Sequence, residues 1–499
     1  MTEVELKLAL LVEPGAGVVH MLAHTPLLAG CPVRRQILHN IYYDTPDHQL
    51  LRQGVALRVR RIGKGARTRW LQTLKTGDGG ASALSQRGEW ESPLEGPQLS
   101  VAALQGTPWV EMDPQGAVFA GLQPCFSTEF TRSFWTLPWA DGSVVEVALD
   151  LGRIVADQRQ SPIRELEIEL KAGSASSLFD VALQIARVLP VMPSSASKSE
   201  RGYALAASGA PFPAAAPDPA SGGAKPSPDS LAQSVLHTAL RQFTAHLIAA
   251  RHDDEPELVH QARVAWRRFR SARRLFKSLL NQPFPDVQAA LQPLLHHLGA
   301  VRDLDVARTE SLPRVAPAYI DDDPGRARGW HRMLNKLGRC SARARAGLHD
   351  ALDDVATGQA LIGITQWLEA LATRDLPQGN TRKAQGPARA WALRTMRRQR
   401  RALRDAMQGT DNAQRLHQVR ILAKRLRYGV DTLRPLLPAR RARRWHQLAA
   451  RLQADLGAQR DALQAALLVQ QLPGHAQIAE FLRGHLAGVQ RGGKRPPRA

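Results

Sequence analysis

The 499-residue sequence predicts two domains: an α+β domain built on antiparallel strands, as a sheet or a closed antiparallel β-barrel, then an all-α helical bundle with an internal two-fold duplication. Three observations predict this. Charged and apolar residues alternate along at least seven short segments before about residue 205. Apolar residues recur at spacings of three and four after about residue 230. Two motifs of the helical half recur at offsets of 157 and 158 residues, which shared composition does not produce.

The strand segments are Val4–Leu10, Ala56–Ile62, Arg69–Thr76, Gln86–Ser92, Glu129–Leu137, Ser143–Leu151 and Ile163–Leu170. Gly, Pro, Asp and Ser separate several of them, as turns require. Two helices are expected among them, near 17–28 and 177–189. The stretch from Ala206 to Asp229 is rich in Pro, Ala, Gly and Ser and reads as a flexible linker. The predicted domains are therefore 1–207 and 230–499, with a linker over 208–229. The helical domain divides into halves of about 230–375 and 385–490, and prolines such as Pro283, Pro293, Pro377 and Pro435 punctuate its helices.

The recurring motifs are His260-Gln-Ala-Arg263 against His417-Gln-Val-Arg420, and Leu298-Gly-Ala-Val-Arg302-Asp303 against Leu456-Gly-Ala-Gln-Arg460-Asp461. On a helix, His260, Arg263, Arg267 and Arg270 share one face, as do His417, Arg420, Lys424 and Arg427. No acid lies between Leu258 and Leu280, or between Leu416 and Val430. A solvated stripe would intersperse Glu with its cations. A polyanionic ligand is the expected counter-charge. The bland reading is a basic surface helix, with His260 and His417 as packing residues and the Arg-Asp pairs as structural ion pairs.

Overall charge agrees. Lys and Arg total 67 against 45 Asp and Glu, a formal net charge of +22. Such a chain attracts nucleic acid, polyphosphate, anionic membranes or small phosphates. The stripes carry few aromatics for base stacking, so phosphate without bases is favoured over nucleic acid. Three distant cysteines make no CxxC pair, no signal-peptide pattern opens the chain, and no apolar run is long enough to span a bilayer. A cytoplasmic protein without a membrane partner is the expectation. Oligomeric state is not readable.

In the strand half each charged residue type recurs on one face. Glu3, Glu5 and Lys7 share a face, as do Arg58 and Arg60, Thr73 and Lys75, and Glu165, Glu167 and Glu169. Arg132, Glu146 and Asp150 lie on intervening strands. In an open sheet these faces would meet water; in a closed barrel they would fill the interior. Buried charges need partners. Carboxylates there can hold Mg²⁺ or Mn²⁺, and Arg and Lys can clamp phosphate oxygens. No Ser-His or Cys-His pair and no phosphate-loop motif is present, so metal-assisted attack by water is the economical chemistry. His20 and His24 form an HxxxH without the glutamate of HExxH and read as packing or surface residues.

The N-terminal half resembles the CYTH superfamily, the triphosphate tunnel metalloenzymes. The resemblance runs through Glu3-x-Glu5-x-Lys7, Tyr42-Tyr-Asp-Thr-Pro46, Ala56-Leu-Arg-Val-Arg60, Thr73-Leu-Lys75 and Ser197-Lys198-Ser-Glu-Arg201-Gly-Tyr203. The duplicated helical region resembles the CHAD domain. Together they resemble the bacterial inorganic triphosphatase group. The resemblance implies divalent metal on Glu3, Glu5, Glu165 and Glu167, with Asp150 as a further ligand. It implies triphosphate on Lys7, Arg58, Arg60, Lys75, Arg132 and Lys198. Lys7 and Glu5 would carry the catalytic roles, with Lys7 positioning the attacking water. Arg87, Glu89, Glu169 and Arg201 fit the alternation outside the motif match. Polyphosphate would lie against His260, Arg263, Arg267, Arg270, His417, Arg420, Lys424 and Arg427, and association with polyphosphate granules would follow. Two alternatives remain open at this point: a non-catalytic polyphosphate-binding protein, and an enzyme acting on thiamine triphosphate or cyclising ATP in the manner of a class IV adenylate cyclase.

Overall fold

The computed structural model describes residues 2–12, 17–65, 68–77, 82–208, 227–280, 282–372, 382–408 and 413–492. Most of the expected linker, 209–226, lies outside the described residues.

Nine strands form in the N-terminal domain: β1 (Thr2–Leu10), β2 (Arg34–Asp44), β3 (Val55–Ile62), β4 (Arg69–Thr76), β5 (Leu84–Leu94), β6 (Gln123–Pro138), β7 (Val144–Ala156), β8 (Arg159–Ala172) and β9 (Val191–Pro193). Eight of them close a ring in the order β5-β4-β3-β2-β6-β7-β8-β1, with β1 returning to β5. Every pairing is antiparallel. The short β9 pairs with the end of β1. Closure removes the sheet edges and gives each strand an inner and an outer face.

The outer face is apolar and roofed by helices. Leu6, Leu8 and Leu10 of β1, with Trp135, Val147, Leu149, Leu166 and Ile168, pack against α1 (Gly17–Ala23) and α5 (Ser176–Ile185). On the far side, Val55, Leu57 and Leu74 pack against Leu50 of α2 (Gln49–Arg52) and Trp109 of α3 (Trp109–Met112), near α4 (Ala117–Ala120). Each such fully buried side chain contributes roughly 1.5–3 kcal/mol relative to exposure.

The inner face changes character along the barrel. At one end it is apolar: Leu38, Phe126, Phe130, Ile154 and Ile163 have the inward parity and cluster with Tyr42 and Tyr203. Tyr203 belongs to α6 (Lys198–Ser208), which packs across β6, β7 and β8 and closes that end. Gly202 permits this approach, because a Cβ there would overlap the Phe126 ring. Helix α6 also takes in Ala206 to Ser208, which the sequence assigned in part to the linker. Asp44 secures the junction by accepting from the Tyr203 hydroxyl at 2.9 Å and from the Leu50 and Leu51 amides at 2.8 and 3.0 Å.

The C-terminal domain is helical throughout its described residues. It comprises α7 (Pro228–His252), α8 (Pro256–Leu275), α9 (Gln288–Val306), α10 (Leu312–Ile320), α11 (Pro324–Asp353), α12 (Val355–Ala372), α13 (Arg382–Met407), α14 (Ala413–Leu433), α15 (Ala439–Gln470) and α16 (Ala476–Gly492). Start signals are local. The Ser227 side chain accepts from the Ser230 amide ahead of Pro228, and Asp323 caps α11 ahead of Pro324. A large core built from α7, α8, α9 and α12 to α15 holds this domain together. It docks on the barrel through α12. Ile362 enters the barrel core, and Gln359 donates to the Ala186 carbonyl at 3.2 Å. No described helix is long and apolar enough to cross a membrane.

Candidate active site

Beyond the apolar plug, the barrel interior is a polar cavity of about 230 Å³. Period-two alternation puts its charges there. Glu3, Glu5 and Lys7 come from β1, Arg58 and Arg60 from β3, Lys75 from β4, and Arg87, Glu89 and Glu91 from β5. Arg132 comes from β6, Glu146 from β7, and Glu167, Glu169 and Lys171 from β8. Lys198 enters from α6. Cross-strand register sets the neighbours: Asp150 lies opposite both Arg132 and Glu165, and Lys7 opposite Glu167.

Three carboxylates converge. Asp150, Glu165 and Glu167 each offer an oxygen within 4.8 Å of the others. Lys198 reaches all three, at 2.7 Å from Asp150 and 2.9 Å from Glu167, and in contact with Glu165. Arg132 forks onto Asp150 at 2.8 and 2.7 Å and also contacts Glu167. Burial works against the Glu167 charge, but Lys198 and Arg132 outweigh it and hold its carboxyl well below the usual range. Burial likewise opposes the Lys198 charge, and the same three acids overcome it and raise its pKa. An oxygen-only donor set of this kind fits a hard divalent cation such as Mg²⁺ or Mn²⁺.

The expected five-carboxylate metal set is thus divided. Glu3 and Glu5 line the same cavity but pair with lysines. Glu3 accepts from Lys75 at 2.6 Å, and Glu5 from Lys7 at 2.5 Å and from the Ser85 hydroxyl at 3.1 Å. Across the tunnel, Arg58 stands 3.4 Å from Glu89 and 3.7 Å from Glu91. The acids and bases of the lining thus also pair with one another directly. Arg60 is only weakly compensated. Its Nε donates to Asn40 at 2.7 Å, and its nearest acid, Glu91, is 3.8 Å away. Burial, followed by the neighbouring Arg58 and Arg132 charges, brings its pKa down to about 10. A buried guanidinium in that state favours an incoming anion.

Sequence reasoning did not single out Lys171 or Tyr42 as lining residues, nor Asn40 as the partner of Arg60. Lys171 continues the parity of Glu165, Glu167 and Glu169, so alternation could have found it. It pairs with Glu169 at 2.7 Å. Asn40 and Tyr42 share the inner face of β2, where apolar neighbours hide the pattern.

In the helical domain, α8 and α14 carry the two stripes. Arg263, Arg267, Arg420 and Lys424 are half-buried and converge with Arg302 and Arg460. Burial, then Arg420, Arg267 and Arg460, lowers Lys424 to about 8. Burial also lowers Arg263, against Asp303 and with Arg267 and Arg302. The buried Nε of Arg267 has no hydrogen-bond partner among the described residues. Asp303 and Asp461 are the acids of this cluster, and Arg302 pairs with Glu310 at 3.1 Å. His260 lies at its edge beside Arg302. Arg270 and His417 are exposed, and Arg427 donates to Gln453 at 3.1 Å while its buried Nε has no hydrogen-bond partner among the described residues. The net charge belongs to this half. Residues 1–207 carry 20 Lys and Arg against 21 Asp and Glu, and the remainder 47 against 24.

A closed barrel lined by opposed acids and bases, joined to a basic helical bundle, defines a two-domain tunnel protein. Residues 1–203 match the CYTH domain and residues 234–470 the CHAD domain, so the chain joins a CYTH domain to a CHAD domain. An inorganic triphosphatase of Haemophilus influenzae is 37% identical over 206 residues, which span 41% of this chain and 55% of that protein. The chain thus covers about half the length of that relative. Among solved structures, the CHAD domain of Ricinus communis is 26% identical with a TM-score of 0.47, covering 57% of this chain and 93% of that one. HpAC1 of Hippeastrum, described as having a dominant triphosphatase activity, is 20% identical with a TM-score of 0.31, covering 42% and 98%.

Proposed function

We propose that the barrel hydrolyses inorganic triphosphate with a divalent cation, Mg²⁺ or Mn²⁺, and that the helical domain binds inorganic polyphosphate. The carrying observation is a tunnel cavity lined by Arg58, Arg60, Lys75 and Glu167, with the Asp150 and Glu165 carboxylates converging on that of Glu167. Hydrolysis joins a water oxygen to a terminal phosphorus and breaks its bond to the bridging oxygen, releasing phosphate and diphosphate. Arg58, Arg60, Lys75 and Arg132 hold the phosphate oxygens and balance charge that develops as the bond breaks. Lys7 orients the water, and Glu5, 2.5 Å from the Lys7 ammonium, is placed to receive its proton. Asp150, Glu165 and Glu167 hold the cation, with Lys198 passing from the carboxylates to the substrate. A cation held there would supply Lewis-acid polarisation of the phosphoryl group and screening of its charge.

The lining favours an inorganic substrate over a nucleotide or thiamine triphosphate. Apart from Ala56 all of it is charged or hydroxylated, Tyr42 supplies its one aromatic ring, and among the described residues no apolar wall is present for a base or thiazole ring. In the helical domain, under-compensated cations from both stripes support a linear phosphate ligand, and the matched sequence of α8–α9 and α14–α15 supports an internal duplication. Binding there would place the protein on polyphosphate granules. The test is phosphate release from triphosphate with and without chelator, with Glu3→Gln and Lys7→Ala each lowering turnover sharply. Absence of metal-dependent release from purified protein overturns the reading.

A further inference from the structure

Arg201 lies outside the cavity that holds the other charges, yet it touches one of the three converging carboxylates. Its Nη1 donates to Glu165 Oε2 at 2.9 Å, while Glu165 Oε1 faces Lys198 inside the tunnel. Its Nη2 donates to the Pro162 carbonyl. One planar guanidinium is thus fixed at two points of β8 three residues apart, and it takes up the outward oxygen of Glu165. Arg201 and Glu165 both border a separate cleft of about 360 Å³ between the barrel and α7, walled on the other side by Thr244, Ile248 and His252, and Glu165 reaches the tunnel side through its contact with Lys198. A substrate in the tunnel meets Lys198 and Glu167 but not this side chain.

Glu165 is almost fully buried, with 4% exposure. Left alone it could turn either oxygen inward or rotate toward Lys198. Holding Oε2 from behind leaves Oε1 as the single donor facing Asp150 and Glu167. Outer partners of metal-ligating carboxylates act in this way, and losing one typically costs ~10–100-fold in metal affinity. Lysine cannot replace the fork, because one ammonium does not reach a carboxylate and a backbone carbonyl in the same plane.

We propose that Arg201 is a positioning residue that presets Glu165 for the divalent cation. The proposal rests on the reading that Asp150, Glu165 and Glu167 hold that cation. The experiment is titration of the full chain with Mn²⁺, read by the electron paramagnetic resonance signal of free Mn²⁺, for wild type, Glu167→Gln, Arg201→Ala and Arg201→Lys. Thermal midpoints are recorded alongside. Arg201→Ala should weaken Mn²⁺ binding by ~10–100-fold. Arg201→Lys, which keeps the charge and the fold, should recover little of it. Phosphate release by both variants should return toward the wild-type rate at saturating Mn²⁺, since neither change touches substrate. If wild type binds Mn²⁺ and Glu167→Gln does not, while both Arg201 variants bind like wild type, the positioning role is overturned and the carboxylate site stands. Loss of release that excess Mn²⁺ does not restore also overturns it. If Glu167→Gln binds as well as wild type, the underlying cation site is what fails.

Discussion

Replacing Gly202 by alanine adds one methyl group where α6 crosses Phe126, at the closed end of the barrel. That methyl would overlap the Phe126 ring. The ring has little room to retreat: Tyr42 stacks on it with centroids 4.6 Å apart, and Tyr203 meets it edge-on at 5.1 Å. Overpacking a closed core costs ~1–3 kcal/mol, and a rigid ring puts this site toward the upper end. Alanine's better helix propensity offsets about 1 kcal/mol of that. The net expectation is a loss of about 2 kcal/mol. For a domain of this size that lowers the melting midpoint by ~4–8 °C. Differential scanning calorimetry reads the shift. Because α6 also carries Lys198 and Arg201, phosphate release should fall by more than the unfolded fraction explains. A Gly202→Ala protein that melts at or above the wild-type temperature would falsify the packing described for α6.

Three further outcomes follow from the charges. Arg60→Met removes a buried, poorly compensated cation: KM for triphosphate should rise tenfold or more, while the substrate-free protein should melt no lower than wild type. For Lys424, the folded value of about 8 lies below the ordinary 10.5, so between those pH values the unfolded chain holds more protons than the folded one. Stability of the ligand-free helical domain should therefore rise with pH across that window, and Lys424→Met should remove the rise in pH-dependent melting curves. Polyphosphate affinity, measured by calorimetry, should fall as pH rises through about 8 and should decline linearly with salt on logarithmic axes, since each neutralised phosphate releases counterions.

The sequence made the charged half of the tunnel readable because alternation is a property of single strands. Glu3, Glu5 and Lys7 had to share a face whatever the topology. Alternation does not say which face is inside, and it fails where both are apolar. Phe126, Phe130, Ile154 and Ile163 point inward with the charged residues of their strands, yet in sequence they look like ordinary core. The plug was hidden for that reason, and so was the role of α6 beyond its motif. Pairing was equally hidden. The sequence showed Arg132 and Asp150 but not that they lie opposite each other, nor that Glu3 and Glu5 meet Lys75 and Lys7 while Asp150, Glu165 and Glu167 meet Lys198. In the helical half, spacing identified both stripes, because helical periodicity is also local. Which rungs meet depends on how α8 and α14 pack, and this separates Arg267 and Lys424 from Arg270 and His417.

The central claim is that opposed acids and bases inside the barrel serve cation-dependent cleavage of a short inorganic phosphate chain. Its most direct test is a side-by-side measurement of phosphate release from triphosphate, long polyphosphate, ATP and thiamine triphosphate, with Mg²⁺, with Mn²⁺ and with chelator. The account predicts rapid release from triphosphate, abolished by chelator and by Glu167→Gln, with the organic triphosphates much slower. Release from triphosphate that persists unchanged in chelator, or that survives Glu167→Gln, would contradict it.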